Sequence, residues 1–338
     1  MNRRISASIA AVATLLMITG CASSSGTPTP TPTVALPALP TEGYLVAQTA
    51  VATSLDRDQH VLSTVGIDGV ILSSTGDTVA ELPENAAALV AAAHARGLSA
   101  ELLVSNYDNS SGDFSRKIAT ALLSSAAHRT DVTSQLVAQV TSAGFDGVQI
   151  DLESLTAADS EGLAAFAQQL HDAIGAPKTV SMAITAQSSS ARYLAAGYDL
   201  TQLRKSLARV VLIAYDQHGP TWSKPGPVGG LPWATVVLDA LISTGLPTAQ
   251  IDLGVAGYGY SWPGNGTSGA QLSDEDSRTL AGDLARYDTT QAEWTATLPD
   301  DTVVWWSDAR SLNERRALAL SRDLHGIAVW DLSLTDPL

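Results

Sequence analysis

Two hydrophobic rhythms take turns along this chain. Short Val/Ile/Leu-rich runs alternate with longer Ala/Leu-rich runs whose apolar residues recur at helical spacing. Residues 43–50, 67–74, 99–107 and 145–153 read as strands, with helices ending near Gly97 and spanning 114–143 between them. The helix 159–174 leads to a strand at 179–186, and the helical stretch 200–207 leads to one at 209–215. The helix 233–243 then precedes a strand at 251–258, and the helix 311–324 an eighth at 326–332. Eight β/α units predict an α/β fold, a (β/α)8 TIM barrel. The competing arrangement, a doubly wound open sheet, usually needs fewer strands. Here it also lacks a strong glycine-rich phosphate loop after the first strand. Residues 261–309 exceed an ordinary loop and predict a small insertion between strands 7 and 8.

The first 41 residues break both rhythms. Arg3 and Arg4 precede a short apolar run over 5–18, and Ile18-Thr19-Gly20-Cys21 resembles a bacterial lipobox. The expectation is a lipoprotein signal over 1–20, cut before Cys21, the chain's single cysteine. The apolar run falls short of the ~20 residues that span a bilayer. Residues 21–41 then read as a lipidated cysteine and a Thr/Pro-rich tether, reaching up to ~60 Å at ~3.1 Å per residue. This predicts localisation at the cell membrane, lipid-anchored through Cys21 on the extracytoplasmic face, with a catalytic barrel over 42–338. With Cys21 lipidated, no disulfide or cysteine metal site is left. The formal net charge is −15, which argues against nucleic acid and against charge-driven binding to anionic lipid.

Candidate chemistry collects at the predicted strand ends, where barrels of this kind carry their active sites. In the fourth strand Gln149, Asp151 and Glu153 share one face, while Val148, Ile150 and Leu152 share the other. Two like charges on one buried face cannot both ionise cheaply, so one carboxyl is pushed toward its protonated form. An ordinary strand end, whose acids cap the next helix or meet solvent, is the alternative. Asn106 closes strand 3, Tyr215 and Asp216 close strand 6, Tyr258, Tyr260 and Trp262 close strand 7, and Trp330 lies in strand 8. All 7 tryptophans lie beyond position 220, and Trp222, Trp262 and Trp330 offer flat faces suited to sugar rings. Asp146 has the opposite parity and reads as structural. His128, His171 and His325 show no ligand spacing, so no metal site is expected.

Residues 146–153 resemble the D-x-x-D-x-D-x-E signature of glycoside hydrolase family 18, with Asp146, Asp151 and Glu153 in place and Gln149 where the middle Asp would stand. Residues 213–218 resemble the family's strand-six Tyr-Asp segment, and 328–330 its strand-eight tryptophan. The run 225–233 looks most like bacterial wall and spore-cortex N-acetylglucosaminidases. The resemblance implies a retaining, substrate-assisted mechanism. Glu153 would be the acid and base, Asp151 would orient the substrate's acetamido group, and Tyr215 would hydrogen-bond its carbonyl. Asp216, Trp330, Gln149, Tyr258, Trp262 and Asn106 are the expected substrate contacts. The implied substrates are GlcNAc-containing glycans, peptidoglycan or chitin oligomers, with no metal or organic cofactor. A membrane-anchored wall glycosidase is the leading reading. A chitooligosaccharide hydrolase and a non-catalytic sugar-binding relative are the alternatives.

Overall fold

A computed structural model of the chain describes residues 39–338 apart from 48, 51–52 and 267. The expected signal, Cys21 and nearly all of the tether lie outside the described residues. Among the described residues eight parallel strands close into a barrel in chain order. They are β1 (Thr41–Val46), β2 (Thr64–Ile71), β3 (Ser99–Ser105), β4 (Gly147–Asp151), β5 (Thr179–Thr185), β6 (Arg209–Ile213), β7 (Ile251–Ala256) and β8 (Gly326–Trp330). Closure runs through Thr41↔Ile327, Glu42↔Ala328 and Gly43↔Val329. The chain enters at the barrel's underside: Pro40 C=O accepts from Ile327 N–H at 3.0 Å as β1 begins. No helix among the described residues is long and apolar enough to cross a membrane.

The strand alternation sorts the side chains by face. Val148, Ile150 and Leu152 point outward into the layer beneath the helices and are buried, as are Leu163, Phe166 and Leu170 of the helix Ser160–Ile174 that covers them. Burying each such side chain is worth about 1.5–3 kcal/mol. The predicted helix over 114–143 is two, Arg116–Leu123 and Ala126–Ala143. Ser125 breaks it, since its extended backbone lets its hydroxyl accept His128 N–H at 3.2 Å and cap the second helix. Gly144 closes that helix at φ +81°, a left-handed turn that side chains with a Cβ seldom take.

The barrel's interior is polar at its floor. Arg209 donates to Glu42 and Glu101 at 2.7 Å each and to Asp252 at 2.8 Å, and all four residues are buried. Gly66 makes the room, because a Cβ there would lie 2.4 Å from the Tyr44 ring and 2.9 Å from Glu42 Oε1.

Between β7 and β8 the chain builds an antiparallel sheet of five short strands. In spatial order they are Ala270–Leu272, Gly259–Trp262, Val303–Trp306, Glu293–Thr297 and Arg286–Asp288. Its small core holds Ala281, Ala296, Val304 and Trp306, with Trp294 stacked on Trp306 at 5.9 Å. The insertion therefore starts at Gly259, slightly ahead of the sequence expectation.

Candidate active site

Several strands end before their apolar runs do, and this sets the site. β4 stops at Asp151 and β6 at Ile213, so Glu153, Tyr215 and Asp216 stand on loops just above the rim. Ser154 and Asp216 turn the chain there at φ +60° and +58°, left-handed values in which Asp is one of the better tolerated residues.

The end of β4 is pinned from both sides. Glu153 N–H donates to Asn106 Oδ1 at 2.9 Å, while Asn106 Nδ2 donates to the carbonyls of Glu153 and Ser115 at 3.0 Å each. On the other flank the Tyr198 hydroxyl donates to Leu152 C=O at 3.1 Å. Asn106, expected as a sugar contact, has no solvent exposure. Its amide is spent on the backbone that carries Glu153.

Glu153 and Asp151 are half-buried, and no cation offsets their charge. Burial, then Asp151, Asp216 and Asp113, hold the Glu153 carboxyl well above the usual carboxylate range. Burial, then Asp68, pushes Asp151 up to about 7. Asp151 Oδ1 is buried without a hydrogen-bond partner among the described residues, an acceptor left unsatisfied near the mouth. The Tyr215 hydroxyl is raised by burial first and then by Asp151, Asp216 and Glu153, so at neutral pH it keeps its proton and can donate. Asp216 is exposed overall, but its carboxyl turns under two tyrosines. It accepts from Tyr258 at 2.5 Å and Tyr260 at 2.8 Å, bonds that lower its proton affinity against a larger rise from burial. A group that holds a proton, an unsatisfied acceptor and a hydroxyl donor thus stand together near the mouth. That set can protonate a leaving oxygen while gripping an amide.

The other sequence candidates fall into different places. Trp330 is half-buried beside Tyr44, with ring centroids 5.3 Å apart, and lies at the end of β8. Asp146 faces away from the mouth, accepting from Ala100 N–H and meeting His94 Nε2, each at 2.8 Å. Gln149, expected at the sugar, lies on the floor with no exposure. Its Oε1 accepts from the Tyr44 hydroxyl at 2.7 Å, and its Nε2 donates to Ser181 at 3.1 Å and to Glu42 at 3.2 Å. Both of its N–H groups are thus spent inside the barrel. Tyr258 and Trp262, also expected at the sugar, are buried. The Tyr258 hydroxyl is used on Asp216, and Trp262 packs edge-on against Tyr260 at 6.1 Å. Trp222 is the exposed aromatic here, 54% exposed and edge-on to Tyr260 at 5.7 Å.

Three residues escaped the sequence reading: Glu293, Arg315 and Asp68. Glu293, buried in the insertion, accepts from the N–H groups of Val228 and Gly229 at 2.8 Å each and from Arg315 at 3.2 Å. This clamp holds the loop beyond β6 against the strand, where Gly229 passes so close that a Cβ would lie 2.5 Å from Ala214 C=O. Only the glycine pair hinted at it. The third is Asp68, an acid inside an apolar strand run, and that placement was its signal. It lines a cavity of about 930 Å³ over the ends of β1–β3, with Val46, Pro83, Asn85, Ser105 and Tyr107 among its walls. A smaller recess of about 440 Å³ continues from it past Ile71, Ala80 and Asn109. No group of three or more His, Cys, Asp or Glu side chains able to hold a metal occurs among the described residues.

Known proteins resemble this chain over most of the barrel. The model of the family "Glycosyl hydrolases family 18" matches residues 64–334. The cortical fragment-lytic enzyme of Bacillus subtilis (strain 168) is 26% identical over 253 residues, 70% of this chain and 57% of that enzyme. The chain thus spans little more than half of that curated relative. The structure of a chitinase from Chromobacterium violaceum ATCC 12472 superposes with a TM-score of 0.78 at 25% identity, covering 88% of this chain and 96% of the chitinase. The spore cortex-lytic enzyme SleL of Bacillus cereus shares the fold with a TM-score of 0.77 at 20% identity, covering 88% and 72% of the two chains.

Proposed function

This chain belongs to glycosyl hydrolases family 18, and on that footing we propose that it cuts the bond following an N-acetylglucosamine unit in peptidoglycan, by retaining, substrate-assisted catalysis. Glu153 protonates the glycosidic oxygen while the substrate's own acetamido oxygen attacks the anomeric carbon. Asp151, through its open Oδ1, accepts the acetamido N–H and balances the positive charge that grows on the ring it closes. Tyr215 donates to the acetamido carbonyl and aligns it, which is where an internal nucleophile gains most of its advantage. Glu153, now ionised, takes a proton from the water that opens the intermediate. Trp330 is the surface beneath the sugar; the cavity of about 930 Å³ beside Asp68 is a separate recess of the rim, lined by none of Glu153, Asp151, Tyr215 or Trp330.

The observation that supports this reading is the pairing of a carboxyl held protonated with an unpartnered carboxylate oxygen and a tyrosine donor at one barrel mouth. The similarity to a cortical fragment-lytic enzyme favours peptidoglycan, and the lipobox with its tether favours action beside the membrane. The test is mass spectrometry of products from purified wall glycan and from N-acetylglucosamine oligomers, with Glu153→Gln as control. Muropeptides ending in N-acetylglucosamine are expected from the wild type alone. Cleavage of the oligomers with an untouched wall would favour the second reading, a chitooligosaccharide hydrolase, for which the likeness to the Chromobacterium chitinase speaks. Tight glycan binding with no product from either substrate would favour the sugar-binding reading. Anchoring is tested by lipid labelling, expected in the wild type and lost in Cys21→Ser.

A further inference from the structure

The mouth carries more carboxyl groups than this reaction uses. Asp68 lies near the end of β2, and Asp331 directly follows β8. Gly66 packs inward against Tyr44, so strand alternation turns Asp68 inward too. By the same parity Asp151 faces inward two residues beyond Gln149. Between Asp68 and Val70 the register of β2 on β3 shifts, a bulge of the kind that re-aims a side chain beside a site. Gly69 makes that bulge possible, since a Cβ there would lie 2.7 Å from Pro83 Cγ.

The surroundings of this acid are uniformly anionic or neutral. Its cavity is walled by Glu81, Glu84 and Tyr107, and no lysine or arginine lines it. Asp331, buried behind it, accepts from Ser333 N–H at 2.7 Å. Asp68 pairs in register with Leu103 of β3 and Leu103 with Gln149 of β4, so Asp151 stands on the same inward face two residues nearer the mouth, where its carboxyl feels Asp68. Burial, then Asp331, raises Asp68 to about 6, as burial and then Asp68 raise Asp151.

We propose that Asp68 is a positioning residue of this site, standing on the same inward face as Asp151 and holding one proton in common with it. The proposal rests on Asp151 being the acid that orients the acetamido group. A pair with a single proton offers that group a carboxylate oxygen while carrying one charge instead of two. It also spreads that charge away from Glu153. Replacing Asp68 by Asn concentrates the charge on Asp151, so Glu153 keeps its proton to higher pH.

The test is the pH profile of kcat/KM for the full chain on an N-acetylglucosamine oligomer, together with unfolding at several pH values. In Asp68→Asn the basic limb should rise by roughly half a pH unit, with kcat reduced more than KM is changed. A limb that stays or falls overturns the proposal, because two fully ionised acids would give a fall. Unfolding reads the shared proton without any activity. Both acids are raised in the folded state, so their contribution to stability is full below about pH 4 and is lost as pH rises toward 7. Over that window the unfolding constant of the wild type should grow relative to that of Asp68→Asn, by up to tenfold per pH unit. Parallel curves would overturn the proposal. Should Asp68→Asn fold poorly, Asp331→Asn serves instead. It frees Asp68 to ionise earlier, so the loss of stability ends at lower pH, and an unchanged end point is again contrary. If Glu153→Gln cleaves as fast as the wild type, the proposed reaction fails, whatever Asp68 does.

Discussion

Asn106→Ala separates two roles for one buried amide. The substitution removes three hydrogen bonds, to Glu153 N–H, Glu153 C=O and Ser115 C=O, at a position with no solvent exposure. Each bond contributes about 0.5–1.5 kcal/mol net, and a buried backbone group left unpaired costs about 1–3 kcal/mol. Water entering the space left by the amide would recover part of this, so the expected loss of stability is about 2–4 kcal/mol. The loop carrying Glu153 is then tied only through neighbours such as the Tyr198–Leu152 bond. A displacement of about 1 Å at the acid lowers turnover by roughly 10²-fold. Urea unfolding gives the first number, and steady-state kinetics on an N-acetylglucosamine oligomer gives the second. A positioning role predicts that kcat falls while KM stays near the wild-type value. If KM rises and kcat holds, Asn106 touches sugar after all and the account of a backbone clamp is wrong.

Arg209→Met leaves Glu42, Glu101 and Asp252 without their shared cation and should cost about 3–5 kcal/mol. Glu42 is already raised by burial, so the deficit should be smaller at pH 5 than at pH 8 in chemical denaturation, and a pH-independent deficit would contradict this. In the wild type, activity should persist above the ordinary carboxylate range and decline only as Glu153 loses its proton. A basic limb near pH 4.5, the ordinary value, would show that burial does not protect that proton. Glu153→Gln should lower kcat by roughly 10²–10⁴-fold without loss of glycan binding, measured by calorimetry. Gln149→Asp places a carboxyl where Nε2 now donates to Glu42, so stability should drop by about 1–3 kcal/mol, more at high pH than at low.

Strand period and chain order were enough to read the barrel, because each β/α unit is written locally in the alternation of apolar residues. The ends of β4, β6 and β8 were legible for the same reason: a polar group interrupting an apolar strand has to face something. Depth along the barrel axis is not written in parity. Gln149 and Asp151 share a face, yet one bonds the floor and the other stands at the mouth. The inward geometry that places them comes from Gly66, Tyr44 and Glu42 on other strands. The burial of Asn106, Tyr258 and Trp262 was hidden in the same way, since a strand-end polar or aromatic residue reads alike whether it meets a ligand or braces one that does. The Glu293 clamp was out of reach because it joins segments 65 residues apart. The sheet of the insertion has strands of only 3 to 5 residues, too short to show a period.

The entry of the chain beneath β1 gives the molecule a polarity. Pro40 and Thr41 meet the start of β8 rather than its end, on the side of the barrel opposite Glu153. Anything that strains residues 39–41 would therefore loosen the β1–β8 seam at the base first, and the rim that carries Glu153 would be the last part to feel it.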